Sequence, residues 1–146
     1  IMRSLLLLFL AVATSLCIDI TIKNNCKKNL QPHVEEWTDI DMYPVAAHDE
    51  VVNAGTKATF TYTQGNGVHV KNGVSGKNFA GVKTWTTSSE YGISRVAGYD
   101  TGIRIGANNA KLVPPLTCKN ATCFAPRHAK VLYTNYTGTF IVTFCP

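Results

Sequence analysis

Hydrophobic and polar residues alternate along much of the chain, and a period of two is typical of β-strands that are buried on one face. In residues 18–23, IDITIK, every second position is an isoleucine, and polar residues occupy the positions between them. Residues 56–63, TKATFTYT, are rich in the β-branched and aromatic residues that favour strands. The same reasoning predicts further short strands at residues 67–74, 81–87, 92–99 and 102–107.

The end of the chain predicts one more pair of strands. Residues 129–145, AKVLYTNYTGTFIVTFC, are expected to form a closing hairpin with its turn near TNYTG. No window has helical periodicity, and the sequence contains no internal repeat or linker that would indicate a second domain. About eight or nine short strands separated by turns therefore predict one all-β domain, an antiparallel β-sandwich or barrel.

The N-terminal segment has the pattern of a secretory signal peptide. Arg3 is followed by LLLLFLAVATSL, which is a short apolar run that ends in small residues. The run is too short to cross a bilayer, and no other segment is long and apolar enough to do so. Cleavage is expected after Cys17, with Ala13 as the alternative, so residues 1–17 are assigned to the signal peptide and residues 18–146 to a secreted, extracellular domain.

The predicted mature chain keeps an even number of cysteines, Cys26, Cys118, Cys123 and Cys145. In an oxidising compartment this favours disulfides over metal ligation. Four cysteines allow three pairings. A bond between Cys118 and Cys123 would close the short KNAT loop, and Cys26 and Cys145 would then join the two ends of the domain, which is the pairing we expect.

The distribution of charge indicates which classes of ligand the protein can bind. The net charge is +5, but the cations are dispersed and KNNCKK is their only dense group. Without an arginine-rich stripe, nucleic-acid binding is not expected, and anionic surfaces or polysaccharides fit the mild basicity better.

Two N-x-[ST] triplets make Asn120 and Asn135 candidate glycosylation sites. Asn120 falls inside the expected Cys118–Cys123 loop.

Three stretches together resemble the thaumatin-like proteins, the pathogenesis-related family that includes osmotin. Residues 20–26, ITIKNNC, resemble the opening strand of the family. Residues 93–105, ISRVAGYDTGIRI, are similar to its signature, and residues 138–146, GTFIVTFCP, resemble its last strand. The resemblance implies a β-sandwich in which the first and last cysteines are bonded. Typical members are larger and richer in cysteine, so this chain resembles a reduced member that keeps the sandwich core.

The resemblance also implies a function. Thaumatin-like proteins carry an acidic cleft that is linked to β-1,3-glucan binding and antifungal defence. At two positions where the family signature has aspartate this chain has Gly92 and Ala97, while Asp100 replaces an asparagine and Glu90 lies near an upstream glutamate of the family. Trp37, in the turn-rich EEWTDIDMYP, could stack on a sugar. The carbohydrate-binding candidates are therefore Glu90, Asp100 and Trp37.

Catalysis has weaker support in the sequence. A glycosidase needs two carboxylates at a set separation, and nothing marks such a pair among Glu35, Glu36, Asp39, Asp41, Asp49, Glu50, Glu90 and Asp100. We name no catalytic residue, although the family resemblance leaves a weak β-1,3-glucanase activity open. The histidines, His33, His48, His69 and His128, lack the spacing of a metal site, so we expect no metal or cofactor.

The remaining aromatic residues have two interpretations. A sugar-stacking platform could be formed by Trp37, Trp85, Tyr43, Tyr62, Tyr91 and Tyr99. For Trp85, which lies inside a strand pattern, we instead expect packing in the core. The sequence thus predicts a secreted, monomeric defence protein that binds cell-wall polysaccharide. The alternative is a secreted protein-interaction module, a hydrolase inhibitor or an effector, that binds no carbohydrate.

Overall fold

A computed structural model describes residues 16–38 and 44–146, and the regular elements in these residues are all β-strands. No helix in these residues is long and apolar enough to cross a membrane. Apart from positions 16 and 17, the predicted signal peptide lies outside the described residues. The strands are β1 (Cys17–Asn24), β2 (Pro32–Trp37), β3 (Ala46–Asp49), β4 (Lys57–Thr63), β5 (Gly67–Asn72), β6 (Phe79–Thr84), β7 (Ser89–Ser94), β8 (Ile103–Gly106), β9 (Leu116–Cys118), β10 (Ala129–Thr134) and β11 (Phe140–Phe144).

The strands form two sheets that pack face to face. One sheet has five strands in the order β4-β1-β11-β8-β9, and the other has six in the order β10-β7-β6-β5-β2-β3. Neighbouring strands are antiparallel with one exception, because β1 runs parallel to β11 at the centre of the five-stranded sheet. The predicted all-β sandwich is confirmed.

The core lies between the sheets and follows the alternation in the sequence. Ile20 and Ile22 of β1 are fully buried, while Asp19, Thr21 and Lys23 between them face away from the core. Every strand of the five-stranded sheet contributes to the same layer, and the opposing layer comes from the six-stranded sheet. Burial of apolar surface at about 25 cal/mol per Å² is the main force that holds the two layers together.

The hairpin predicted for residues 129–145 is wrong. β10 pairs with β7 at the edge of the six-stranded sheet, whereas β11 pairs with β1 and β8 in the other sheet. The residues between them, 135–139, cross from one sheet to the other. The burial patterns give the reason: β11 is buried at four of its five positions, as a central strand must be, whereas every position of β10 is at least partly exposed.

The parallel pairing of β1 and β11 brings the two ends of the domain together. In a parallel pair the carboxyl ends of both strands lie at the same edge of the sheet, and here Cys26 follows one strand and Cys145 follows the other. A disulfide joins these cysteines across 119 residues of sequence. A second disulfide joins Cys118 to Cys123 and closes the small loop after β9.

Asn24, at the end of β1, is a fully buried polar residue next to this disulfide. Its side-chain amide donates hydrogen bonds to the carbonyl oxygens of Lys28 and Val52, at 2.9 and 2.7 Å. Its Oδ1 accepts a hydrogen bond of 2.9 Å from the backbone N–H of Cys26. One side chain thus fixes the turn that places Cys26 for its bond to the last strand.

A second buried polar group connects the two sheets at their opposite end. The hydroxyl of Tyr62 in β4 lies 3.0 Å from that of Thr84 in β6. Ser89 Oγ lies 3.0 Å from the hydroxyl of Thr84 and donates to the carbonyl oxygen of Tyr136, so the crossing segment joins the same network. Burial raises the pKa of Tyr62 to about 12, against a smaller opposing effect of its hydrogen bond with Thr84. The phenol therefore stays neutral at physiological pH.

Removal of the two disulfides should have unequal effects on stability. A cross-link restricts the unfolded chain more when it closes a longer loop, so Cys26→Ser/Cys145→Ser should lower the free energy of unfolding by about 4–5 kcal/mol. The Cys118–Cys123 bond closes a loop of only a few residues, so Cys118→Ser/Cys123→Ser should lower the free energy of unfolding by only about 2 kcal/mol. Urea unfolding followed by tryptophan fluorescence measures both, and equal losses would contradict the role of the long-range bond.

The adjacent asparagines provide a matched pair of variants. Asn24→Ala removes three hydrogen bonds, two of them buried, and leaves the N–H of Cys26 without its acceptor and the carbonyl of Lys28 without its donor, so it should destabilise the protein by about 3 kcal/mol. Asn25→Ala changes an exposed side chain and should stay within about 0.5 kcal/mol of the wild type. Thermal unfolding of the two variants checks this, and similar melting temperatures would show that Asn24 has no special role.

Candidate functional site

On the outer face of the six-stranded sheet the side chains form rows that run across the strands, because residues that pair directly on neighbouring strands point to the same side. We call each such row a rank. One rank crosses five strands and runs through Trp37, Gly67, Lys83, Glu90 and Tyr133. Of the predicted carbohydrate-binding residues, Trp37 and Glu90 therefore share this face. Gly67 and Lys83 separate them, so they stand three strands apart.

The next two ranks complete the face. The middle rank consists of Ala47, Glu35, His69, Gly81, Gly92 and Val131. The third rank consists of Asp49, His33, Lys71, Phe79, Ser94 and Ala129. Glycines thus occupy neighbouring positions in the first two ranks, where other strands carry large side chains.

A groove of about 280 Å³ follows these glycines, and we call it the glycine groove. Gly81 and Gly92 pair directly and form its floor together with Gly67. A Cβ atom on Gly92 would lie 2.5 Å from the carbonyl oxygen of Lys130, so this position does not accept a side chain. A Cβ atom on Gly67 would meet nothing closer than the carbonyl oxygen of Trp37, at 3.9 Å.

Aromatic and aliphatic side chains border the glycine groove. On one side His69 lies 5.8 Å from the ring of Trp37 and 4.2 Å from the ring of Phe79, measured between ring centroids. On the other side, the groove is lined by Ala129 and Val131 of the edge strand β10, and Val131 is 53% exposed. Burial lowers the pKa of His69. The charge of Glu35 raises this pKa by less and the charge of Lys71 lowers it further, so the ring is neutral at pH 7. The borders are therefore largely uncharged.

The charged groups of the groove stand at one end of it. Glu90 and Lys83 occupy neighbouring positions in the first rank. The ammonium group of Lys83 also lies 5.2 Å from the centre of the Trp85 ring, a cation–π contact. The core position expected for Trp85 is wrong, because the residue is 38% exposed just beyond the end of β6. The reason is that β6 ends at Thr84, one residue earlier than Trp85.

A cluster of charges occupies the β2–β3 side of the face. Lys71 Nζ lies 2.7 Å from Glu35 Oε1, and His33 lies between Glu35 and Asp49, at 3.1 and 2.7 Å. Burial raises the pKa of Glu35, but the hydrogen bond and charge of Lys71, with a smaller contribution from His33, outweigh burial and lower it overall. Glu35 is therefore held by the ammonium group of Lys71, and its lowered pKa is the opposite of what a general acid requires.

Asp100, the third predicted binding residue, lies at a different place. It is exposed in the loop after β7 and lines a separate pocket with Lys27, Lys28 and Thr101. Its carboxylate accepts a hydrogen bond of 2.7 Å from the backbone N–H of Lys77. Asp100 and Glu90 therefore do not form one acidic cleft.

The proposed aromatic platform is wrong as a unit. Tyr62 and Tyr91 are buried in the core, and the hydroxyl of Tyr91 donates to the carbonyl oxygen of Pro114. Tyr43, like the candidate carboxylates Asp39 and Asp41, lies outside the described residues. Trp37 is half-buried at the groove, and its indole N–H has no hydrogen-bond partner among the described residues. This N–H contributes to the lowered pKa of Glu35, although no hydrogen bond of normal geometry joins the two groups.

The two candidate glycosylation sites are both exposed. Asn120 lies in the small disulfide loop, and its Oδ1 accepts hydrogen bonds from the backbone N–H and the hydroxyl of Thr122. Asn135 follows β10 on the segment that crosses between the sheets. Their modification stays a prediction.

Sequence reasoning missed most of the glycine groove. Gly67, Gly81, Phe79 and His69 were not singled out, because nothing in any one segment marks them. Their positions on the outer face follow from alternation, since the residues between them, such as Val68 and Val82, are core residues. The missing information was the strand order, which alone sets Gly81 beside Gly92.

Comparisons with known proteins identify the fold. No protein-family model and no curated protein matches the sequence. Among solved structures, the protein elicitor MoHrip2 from Magnaporthe oryzae is similar with a TM-score of 0.64 and 17% identity, over 88% of this chain and 99% of the elicitor. The thaumatin-like xylanase inhibitor TLXI is similar with a TM-score of 0.57 and 16% identity, over 87% of this chain and 99% of the inhibitor.

At such low identity these likenesses establish the fold and nothing finer. They extend over nearly the whole length of each neighbour. They also agree with the sandwich of two sheets described above. The protein therefore has a thaumatin-like fold.

Proposed function

We propose that the protein is a secreted defence protein that binds a cell-wall polysaccharide, β-1,3-glucan, in the glycine groove. The observation that carries this proposal is a glycine floor bordered by the rings of His69 and Phe79 on one side and by Val131 on the other, with Glu90 at one end. Sugar rings present flat apolar faces that pack on aromatic rings, and hydroxyl groups that donate to carboxylates. The groove offers both kinds of contact along one line.

The shape and charge of the groove support a neutral polymer as the ligand. The floor has no side chains at Gly67, Gly81 and Gly92, so a ring can approach the backbone of the sheet closely. His69 is neutral at pH 7, and Glu90 and Lys83 carry opposite charges at neighbouring positions. The groove therefore has little net charge with which to attract an ionic ligand.

The same arrangement argues for binding without hydrolysis. Glycoside hydrolysis needs a pair of carboxylates on the two sides of the scissile bond. Glu90 is the carboxylate that lines the groove within the described residues, and Asp100 belongs to the other pocket. At the position where the family signature has an aspartate, this chain has Gly92, which is part of the floor.

A specific observation supports a second function, an interaction with a foreign protein. Strand β10 is an edge strand, and its exposed Val131 and Tyr133 could form the centre of a contact with another chain. The names of the two structural neighbours, an elicitor and a xylanase inhibitor, fit such a role. This interaction would not require the floor of the groove.

Filling the floor of the groove tests the first proposal. In Gly67→Val the new side chain occupies the groove, suits a strand, and meets no atom that its Cβ would clash with. We expect residues 18–146 to co-sediment with insoluble β-1,3-glucan but not with cellulose or chitin, and Gly67→Val to weaken retention at least tenfold. The matched control is Thr59→Val, an exposed strand residue on the other sheet, which should bind like the wild type.

Three outcomes would overturn the proposal. These are no retention of the wild type on the glucan, binding of Gly67→Val equal to that of the wild type, and a loss of binding by Thr59→Val as large as that of Gly67→Val. In the first case, capture of a secreted hydrolase by the wild type but not by Tyr133→Ala would favour the second function. Release of reducing ends from the glucan, abolished by Glu90→Gln, would instead show an enzyme.

A further inference from the structure

Basic side chains gather at one end of the five-stranded sheet, the end that carries the Cys26–Cys145 bond. We call this surface the basic end. Its members come from strands β1, β4 and β8 and from the loops after β1 and β9, and they are Lys23, Lys27, Lys28, Lys57, Arg104 and Lys119. All are exposed except Lys23, which is half-buried. In the sequence only KNNCKK, residues 23–28, is a dense group of cations, and the fold brings Lys57, Arg104 and Lys119 to the same end of the sheet.

The register of the sheet brings these cations into one line. Lys57 pairs with Lys23, Lys23 with Thr143, Thr143 with Arg104, and Arg104 with Thr117. Neighbouring strands are about 5 Å apart, so the backbones of Lys23 and Lys57 are about 5 Å apart and those of Lys23 and Arg104 about 10 Å. The outer face thus presents Lys57 and Lys23 side by side and Arg104 two strands beyond Lys23, with Thr143 between Lys23 and Arg104.

These cations have no partners in the described part of the chain. In none of the six does a side-chain nitrogen take part in a salt bridge or hydrogen bond among residues 16–38 and 44–146. Asp100, at the rim of the pocket that Lys27 and Lys28 line, is already engaged with the backbone of Lys77. Like charges on neighbouring side chains repel one another, and an external anion would relieve this repulsion.

We propose that the basic end binds an anionic polysaccharide, a chain of sugars with repeated carboxylate or sulfate groups. Charge complementarity supplies the attraction, and it acts on several sites at once. The hydroxyls of Thr21 and Thr59 lie in the adjacent rank, 3.2 Å from each other, and can also hydrogen-bond sugar hydroxyls. The site shares no residue with the glycine groove, so this inference does not depend on the proposed function.

The surface fits a polysaccharide better than other polyanions. The aromatic residues in the five strands, Phe60, Tyr62, Phe140 and Phe144, are all buried, so these strands offer no aromatic platform on which the bases of a single-stranded nucleic acid could stack. None of the large exposed hydrophobic residues in the described ranges lies in these strands. The face therefore lacks the apolar side chains that insert into a membrane interface.

The test compares two double variants with the same change of net charge. Lys23→Gln/Arg104→Gln removes two charges from the basic end, whereas Lys111→Gln/Lys130→Gln removes two exposed charges outside it. Binding of residues 18–146 is measured by isothermal titration with polygalacturonate, which carries carboxylates, and with dextran sulfate. We expect the first variant to weaken binding at least tenfold and the second less than twofold.

Salt and other polymers complete the experiment. Because surface charges are screened within about 8 Å at physiological ionic strength, raising NaCl from about 50 to 200 mM should weaken binding at least tenfold. Neutral dextran should not bind. Binding to only one of the two anionic polymers would identify carboxylate or sulfate as the recognised group. If the first variant unfolds, Lys27→Gln/Lys28→Gln in the exposed loop replaces it.

The proposal is overturned if neither anionic polymer binds, or if both double variants lose affinity equally. It is also overturned if double-stranded DNA or phosphatidylserine vesicles bind more tightly than both polymers. Gly67→Val should bind the anionic polymers like the wild type, whatever its effect on glucan. Failure at the basic end and failure at the glycine groove can therefore be distinguished.

Discussion

The parallel pairing of β1 with β11, and the bond between Cys26 and Cys145 that follows it, is the contact on which the rest of the structure depends. The two strands are central in the five-stranded sheet, and their isoleucines and phenylalanines form much of one core layer. A pairing between the two ends of the chain closes the longest loop possible in the domain, which is costly in entropy. The disulfide reduces that cost, and Asn24 holds the turn in which Cys26 lies.

Once this pairing is made, the two outer faces of the sandwich acquire opposite characters. The six-stranded sheet presents an almost uncharged groove with a floor of glycines, while the five-stranded sheet presents threonines and unpaired cations. The difference has a structural origin, since the inner positions of both sheets must be apolar and only the outer positions are free to vary. The proposed neutral and anionic ligands would therefore occupy separate surfaces of the same small domain.

Several acidic residues in the described ranges hold the structure. On the face of the sheet Glu35 contacts His33 and Lys71, and Asp49 contacts His33. Glu36 accepts hydrogen bonds from Thr63 and Asn66. A carboxylate that is paired with a cation, as Glu35 is with Lys71, has a lowered proton affinity and is a poor general acid. Glu90 stands apart from these pairs, at the end of the groove.

The sequence by itself determined the class of the fold and much of its inner surface. Alternation in residues 18–23, 56–63, 67–74 and 102–107 predicted strands that the structure places at or near those positions, because the period of two is a local property of an extended backbone. The partner of each strand was decided only by tertiary structure, through contacts between distant residues. For this reason the sequence could not place β10 and β11 in different sheets, separate Glu90 from Asp100, expose Trp85, or set Gly81 beside Gly92 to make a groove.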